Sequence, residues 1–329
     1  MRPPEFWTAK DFLSRLLVAL LTPLSWLYGW TVHYRATHAL PYQSAAKVVC
    51  VGNLTAGGTG KTPIAMTIAR ALIARGAKPV FLTRGYGGKV RGPAFVAADD
   101  RAIHVGDEPL LLAAAAPVIV SADRAAGARL AEEHGFDVIV MDDGHQNFSL
   151  RKDLSFVVVD AETGFGNGRV LPAGPLREPV RQGLARADAV IVSGSGSPAL
   201  SGFAGPVLHA RLVEDRSVLA RGTRVVAFAG IGRPAKFFAS LVALGMEIAD
   251  HRAYGDHHVY TQAEIARLKA RARATQSTLV TTEKDFARLT PAERDGIVAL
   301  PVRSEFAEQD VLDGLLDRLV RPAVPAKAS

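Results

Sequence analysis

A chain of 329 residues is long enough for two domains with their own cores, and 48% apolar against 22% charged residues excludes a disordered polymer. The single cysteine, Cys50, excludes an intrachain disulfide and fits a reducing compartment. The 39 Lys and Arg against 32 Asp and Glu leave a net charge of +7, which suits an anionic membrane surface or a phosphorylated partner; the basic residues are scattered without interleaved aromatics, which speaks against nucleic acid.

Residues 16–34 carry no charge when His33 is neutral, and Leu16, Leu17, Val18, Leu20, Leu21, Leu24 and Leu27 cover nearly every face of a helix. Trp26, Tyr28, Trp30 and Tyr34 follow, as residues at a lipid–water boundary do. A spanning helix needs about 18–20 apolar residues; this stretch just reaches that length and is interrupted by Thr22-Pro23 and Ser25. The flanking Arg15 and Arg35 favour a helix lying in a membrane face, with a core helix kinked at Pro23 as the alternative. No small-residue cleavage site follows, as a signal peptide requires.

An apolar run, Val48-Val49-Cys50-Val51, reads as a buried strand, and after it Ile64, Ile68, Leu72 and Ile73 repeat at helical spacing until Gly76. Between them Thr55-Ala56-Gly57-Gly58-Thr59-Gly60-Lys61-Thr62 forms a glycine-rich turn that opens the helix. Such a turn lines a polyphosphate with backbone N–H groups, a lysine reaches the β- and γ-phosphates, and a hydroxyl is placed for Mg²⁺. The strict pattern has Gly where this chain has Thr55. Further apolar runs at 80–83, 118–120, 138–141, 156–159 and 190–192, with helical stretches such as 124–134, predict a mostly parallel sheet flanked by helices.

Residues 193–205, rich in Ser, Gly, Pro and Ala, mark a loop or domain edge. A second set follows: strands at 225–228 and 278–281, helices near 234–244 and 262–273, and a last amphipathic helix near 308–320. No internal repeat is present, and the tail 322–329 is expected to fray. The expected architecture is α/β: a membrane-associated helix in 1–35, a nucleotide-binding P-loop domain in 36–215 and a smaller α/β domain in 216–329 closing over the cleft.

Several polar clusters stand where strands end. Met141-Asp142-Asp143-Gly144 follows an apolar strand, as a metal-supporting acid does at the carboxyl edge of a parallel sheet. Gly106-Asp107-Glu108-Pro109 is a pair of carboxylates before an apolar helix and, taken alone, reads as a cap. Arg84-Gly85-Tyr86-Gly87-Gly88 offers an Arg and an aromatic face to an anionic sugar, or is a flexible turn. The irregular stretch 169–178 carries three charges, Arg169, Arg177 and Glu178. In Tyr254-Gly255-Asp256-His257-His258, paired histidines suggest zinc, but no cysteine is near and His251 is not at ligand spacing, so a carboxylate-held histidine handling a proton fits better.

Taken in order, Gly52-Asn53-Leu54 with 57–63, Thr83-Arg84-Gly85-Tyr86-Gly87, 106–109, Ala122-Asp123-Arg124, Asp142-Asp143-Gly144, 171–178, Phe228-Ala229-Gly230-Ile231-Gly232, Asp256-His257-His258 and Thr281-Thr282-Glu283-Lys284-Asp285 resemble the tetraacyldisaccharide 4'-kinase family of lipid A biosynthesis. That family tolerates Thr55; it commonly has an apolar residue and then His at positions 145 and 147, where this chain has His145 and Asn147.

The resemblance implies ATP and Mg²⁺ as cofactors and a tetraacylated glucosamine disaccharide 1-phosphate as acceptor. Its 4'-hydroxyl receives the γ-phosphate at the cytoplasmic face of the inner membrane of Gram-negative bacteria, giving lipid IVA. It implies Lys61 and the 55–62 amides as the phosphate cradle, and Thr62, Glu108, Asp142 and Asp143 as candidate Mg²⁺ ligands. Asp107 becomes the base, paired with His257 or alternatively His258, and Arg84, Tyr86, Arg124, Arg177 and Glu178 the substrate side. A P-loop kinase or ligase for a soluble metabolite, and a non-enzymatic ATP switch, are the rival readings; the first has no need of residues 16–34 and the second none of Asp107 and His257.

Overall fold

The computed structural model describes residues 4–9, 11–200 and 202–320; the tail 322–329 and Ser201 of the expected domain-edge loop lie outside them. The strands are β1 Lys47–Gly52, β2 Pro79–Thr83, β3 Ala94–Phe95, β4 Val118–Val120, β5 Val138–Asp142, β6 Leu154–Asp160, β7 Ala189–Ser193, β8 Val207–Glu214, β9 Arg224–Ala229, β10 Glu247–Ala253, β11 Thr278–Thr282, β12 Ile297–Leu300 and β13 Val302–Phe306. The helices are α1 Phe12–His38, α2 Lys61–Ala74, α3 Ala102–Val105, α4 Asp107–Leu112, α5 Arg124–Glu133, α6 Val180–Leu184, α7 Pro234–Ala243, α8 Gln262–Ala274, α9 Glu283–Arg288, α10 Pro291–Arg294 and α11 Gln309–Val320.

A nine-stranded sheet has the order β13-β8-β7-β6-β1-β5-β2-β4-β3, parallel except at β13 and β3. A second, four-stranded parallel sheet has the order β10-β9-β11-β12. β1 sits centrally between β5 and β6, and later strands are laid down on both sides of it, so its carboxyl end opens at the crevice where ligands bind in such sheets. Its Val49 and Val51 are fully buried against Ile64, Ile68 and Leu72, the apolar stripe of α2. That helix stops at Gly76, whose φ of +81° supplies the left-handed turn.

The unit expected at 216–329 does not form one body with the second sheet. β13 pairs antiparallel with β8 in the large sheet, and Leu312, Leu315, Leu316 and Leu319 of α11 join the core around α2. The second sheet is therefore an insertion. The sequence pattern hid this because β13 is the edge strand and β8 its one neighbour, and both mix exposed with buried positions and carry charges at Arg211, Arg303 and Glu305, which read as loop.

α1 runs for 27 residues, through Pro23, and only Ser25, Gly29 and Val32 of it are buried. These fall at i, i+4 and i+7, a single stripe. The hydroxyl of Ser25 accepts the N–H of Ala173 at 3.0 Å, Gly29 lies against Pro179, and ahead of the helix Trp7 donates to the carbonyl of Pro172 at 3.0 Å. Most of the rest of the helix, including Phe12, Leu13, Leu20, Leu24, Trp26 and Trp30, is exposed, which rules out the core-helix alternative.

The crossing of β1 into the phosphate loop needs glycine at 52, since a Cβ there would stand 2.5 Å from the Cβ of His145 and 2.9 Å from its backbone nitrogen. Gly52→Ala is expected to lose about 1–3 kcal/mol of stability, seen as a lower denaturation midpoint at unchanged m.

Candidate active site

The loop 53–60 is laced on both sides. Buried Asn53 donates to the carbonyl of Thr55 at 2.8 Å, Ala56 N–H donates to Pro175 O at 2.7 Å, and Arg177 N–H donates to Leu54 O at 2.7 Å. The segment 169–178 is therefore a brace for the loop rather than a free arm. Gly57 and Gly60 hold φ of +127° and +78°, which favours glycine at both turns. Thr59 is buried, and its hydroxyl has no partner among the described residues.

At the head of α2, the ammonium of Lys61 stands 3.5 Å from Asp143 and the hydroxyl of Thr62 donates to Asp142 at 3.0 Å. Asp143 also receives Arg177 at 2.7 Å. Burial pushes the Asp143 carboxyl upward, but Lys61 and Arg177 outweigh it and hold it below its ordinary value. Asp142 is nearly fully buried; burial first and the Glu108 charge second push it up to about 7 against the pull of Lys61, and its Oδ1 has no partner among the described residues. Glu108 thus faces Asp142 electrostatically from α4. No cluster of three or more metal-binding side chains is preformed among the described residues.

The second sheet reaches into this edge. Oδ2 of Asp107, at the first turn of α4, accepts from Nδ1 of His257 at 2.9 Å and from Nε and Nη2 of Arg288 at 2.9 and 2.6 Å. Burial raises the Asp107 carboxyl; His257 and Arg288 more than reverse it, and the group stays ionised. His258 instead points to Glu264 at 3.2 Å and stacks on Tyr254, so His257 is the histidine brought to Asp107. His251 is exposed, against Phe238.

Arg84 and Tyr86 are exposed at the end of β2. Their loop is not a free turn: Cβ atoms at Gly88 and Gly106 would lie 2.5 Å from His104 O and 2.6 Å from Tyr86 O, so it packs backbone to backbone against the turn that carries Asp107. Arg124 is buried, bonds the carbonyl of Ser121, and leaves Nε unpartnered; burial first and the neighbouring Arg84 charge second bring it down to about 10. Arg177 is tied to Asp143. Glu178 does not face a substrate. It is 1% exposed, and its oxygens accept from Gln146 at 2.9 Å and Arg186 at 2.5 Å, an internal ion pair of the brace.

Two residues of this edge, Gln146 and Arg288, escape the sequence patterns. Gln146 donates to Asn53 O at 2.9 Å as well as to Glu178, joining the loop to its brace. Arg288 and buried Asp285, 2.7 Å apart, lie three residues apart on α9. The spacing after Thr281-Thr282-Glu283-Lys284-Asp285 was the available signal for Arg288.

A sequence model of the tetraacyldisaccharide-1-P 4'-kinase family matches residues 17–321. The chain belongs to this family. It is 48% identical over 325 residues to the tetraacyldisaccharide 4'-kinase of Paramagnetospirillum magneticum, covering 97% of this chain and 99% of that one. It is also 48% identical to the Rhodospirillum centenum enzyme of the same name, covering 97% of each. Among solved structures it resembles LpxK of Aquifex aeolicus in complex with ATP, with a TM-score of 0.76 at 26% identity over 93% of this chain and all of that one.

His145 is a core residue. Its Nε2 donates to Gly183 O at 2.9 Å, its Nδ1 accepts from Ser155 at 3.2 Å, and burial brings its pKa down to about 3. It folds neutral. Below the unfolded value near 6.5 the unfolded chain takes up a proton that the native one refuses, so stability falls as pH drops from about 6.5 towards 3. Between pH 7.5 and 5 this group alone accounts for about 2 kcal/mol, and His145→Gln is expected to flatten that part of a Tm-against-pH curve.

Proposed function

We propose the following division of labour for the 4'-kinase reaction of this family, in which the γ-phosphate of ATP passes to the 4'-hydroxyl of a tetraacylated glucosamine disaccharide 1-phosphate. Lys61 and the amides of 55–62 hold the β- and γ-phosphates, supported by the brace through Ala56 and Arg177. The observation that carries the assignment is the setting of Asp107, next to the Glu108 whose charge acts on Asp142: its Oδ2 is saturated by His257 and Arg288 while its Oδ1 has no hydrogen-bond partner among the described residues. Oδ1 accepts the hydroxyl proton as the new oxygen–phosphorus bond forms and the bond from the γ-phosphorus to ADP breaks.

The orphaned Oδ1 of Asp142 beside the Thr62 hydroxyl suits a divalent cation, and a Mg²⁺ there would be held by one or two carboxylates together with phosphate oxygens. When bound, it supplies positive charge against the β- and γ-phosphate oxygens. Glu108 stands on the same side and Asp143 supports it by fixing Lys61. Arg84 and Tyr86, exposed beside the Asp107 turn, are placed for the anionic disaccharide, with Arg124 behind them.

Incubation with Mg-ATP and the disaccharide 1-phosphate should add a second phosphate to the lipid. Lys61→Ala should lower kcat by about 10²-fold or more, because phosphoryl transfer relies on positioning and charge. Asp107→Ala should lower it by about 10²- to 10⁴-fold with ATP affinity nearly intact. Near-normal turnover in either variant would remove that residue from its role.

The exposed apolar surface of α1 is the proposed membrane contact, at the cytoplasmic face of the inner membrane. Because Ser25 and Gly29 are docked on Ala173 and Pro179 at mid-helix, lipid cannot surround it along its length, and it lies in the interface rather than projecting away. The full-length chain is expected to float with anionic vesicles, and replacement of Leu13, Leu20, Leu24 and Trp26 by Glu to abolish flotation while ATP binding persists. A wild-type chain that stays out of the vesicle fraction would refute the membrane contact.

A further inference from the structure

We propose that Arg288 is a positioning residue of the transfer reaction: its guanidinium fixes Oδ2 of Asp107 from the second sheet and so leaves Oδ1 as the oxygen that meets the acceptor hydroxyl. The inference rests on reading Asp107 as the base. Of the two residues that hold Oδ2, Arg288 is the rigid one. Its side chain is 4% exposed, against 43% for His257. Two of its nitrogens, Nε and Nη2, converge on Oδ2, and Nη1 is anchored on Gly230 O and Asp285 Oδ1, both at 2.7 Å.

The anchor is itself immobilised. Asp285 is fully buried and accepts from Gly230 N–H at 3.0 Å, Tyr260 hydroxyl at 3.0 Å and Thr282 hydroxyl at 2.7 Å. A Cβ at Gly230 would come within 2.9 Å of the Tyr260 oxygen and 3.1 Å of Asp285, so this corner has no slack. The carbonyl of Gly230 also accepts the N–H of His257. One backbone corner of the second sheet therefore presents both partners of Asp107. A guanidinium has N–H donors in a fixed fork and no acceptor, so what Arg288 contributes is direction.

The test compares Arg288→Met, Arg288→Lys, Asp107→Asn and the double variant Asp107→Asn/Arg288→Met in the full-length enzyme with Mg-ATP and the disaccharide 1-phosphate. Arg288→Met should lower kcat by about 10- to 100-fold with the KM for ATP within about twofold. Lysine should restore part of the loss, because it keeps the charge without the fork. The double variant should be no slower than Asp107→Asn alone, since one group acts through the other.

An active Asp107→Asn enzyme would overturn the base assignment and the role of Arg288 with it. If Asp107→Asn is slowed as the base assignment requires, then normal kcat in Arg288→Met, a rise confined to KM, or losses that multiply in the double variant would overturn the positioning role alone. Should the methionine variant fail to fold, Arg288→Lys decides: a lowered kcat at unchanged KM supports the proposal, and an unchanged kcat refutes it.

Discussion

Four carboxylates, Asp107, Glu108, Asp142 and Asp143, are held at one sheet edge beside a loop built for polyphosphate, and their mutual repulsion has to be balanced before an anion can enter. The balance differs at each. Asp143 is neutralised by Lys61 and Arg177, and Asp107 by Arg288 with His257. Asp142 has only a hydroxyl, that of Thr62, and burial beside Glu108 pushes it upward. A buried charge left without its partner is costly, so Lys61 and Arg177 are committed to Asp143 and Arg288 to Asp107 and Asp285, while Asp142 has no ion pair among the described residues.

The topology explains how the balancing groups arrive. Because β13 and α11 return to the large sheet, the second sheet is tethered at both ends. The two tethers are themselves joined: Asp215 N–H donates to Pro301 O at 2.8 Å, and Asp215 pairs with Arg303 at 2.5 Å. An insertion held by adjacent tethers has fewer ways to move than a domain at the end of one linker. That restriction suits a sheet whose contribution to the candidate active site is two side chains placed on a single carboxylate oxygen.

The parallel strands and the phosphate loop were legible because both leave local signatures: continuous apolar runs for strands buried on two faces, and glycines where a backbone must turn at positive φ. His257 could be singled out by its neighbours, and the structure sets it beside Asp107, 150 residues away. Gln146 was not legible, and Arg288 only through its i, i+3 spacing from Asp285, since neither side chain shows its partner on another element until the chain is folded. Glu178 misled for the complementary reason. An exposed-looking charge among prolines and glycines is buried once Arg186, eight residues on, turns back to meet it.

The stretch 169–178 draws the remaining pieces together. On one side its Pro172 and Ala173 dock the N-terminal segment through Trp7 and Ser25; on the other its Pro175, Leu176 and Arg177 pair with Leu54, Thr55 and Ala56 of the phosphate loop. Prolines and glycines suit this double duty, because a backbone that bonds outward on both sides cannot be satisfied within a helix or a sheet. If α1 lies in the membrane face, the height of the phosphate loop above the lipid is set by a few backbone bonds rather than by a flexible linker. A kinase whose acceptor hydroxyl is carried by a membrane-held lipid needs that height fixed, since in-line transfer tolerates little displacement between the γ-phosphate and the hydroxyl that attacks it.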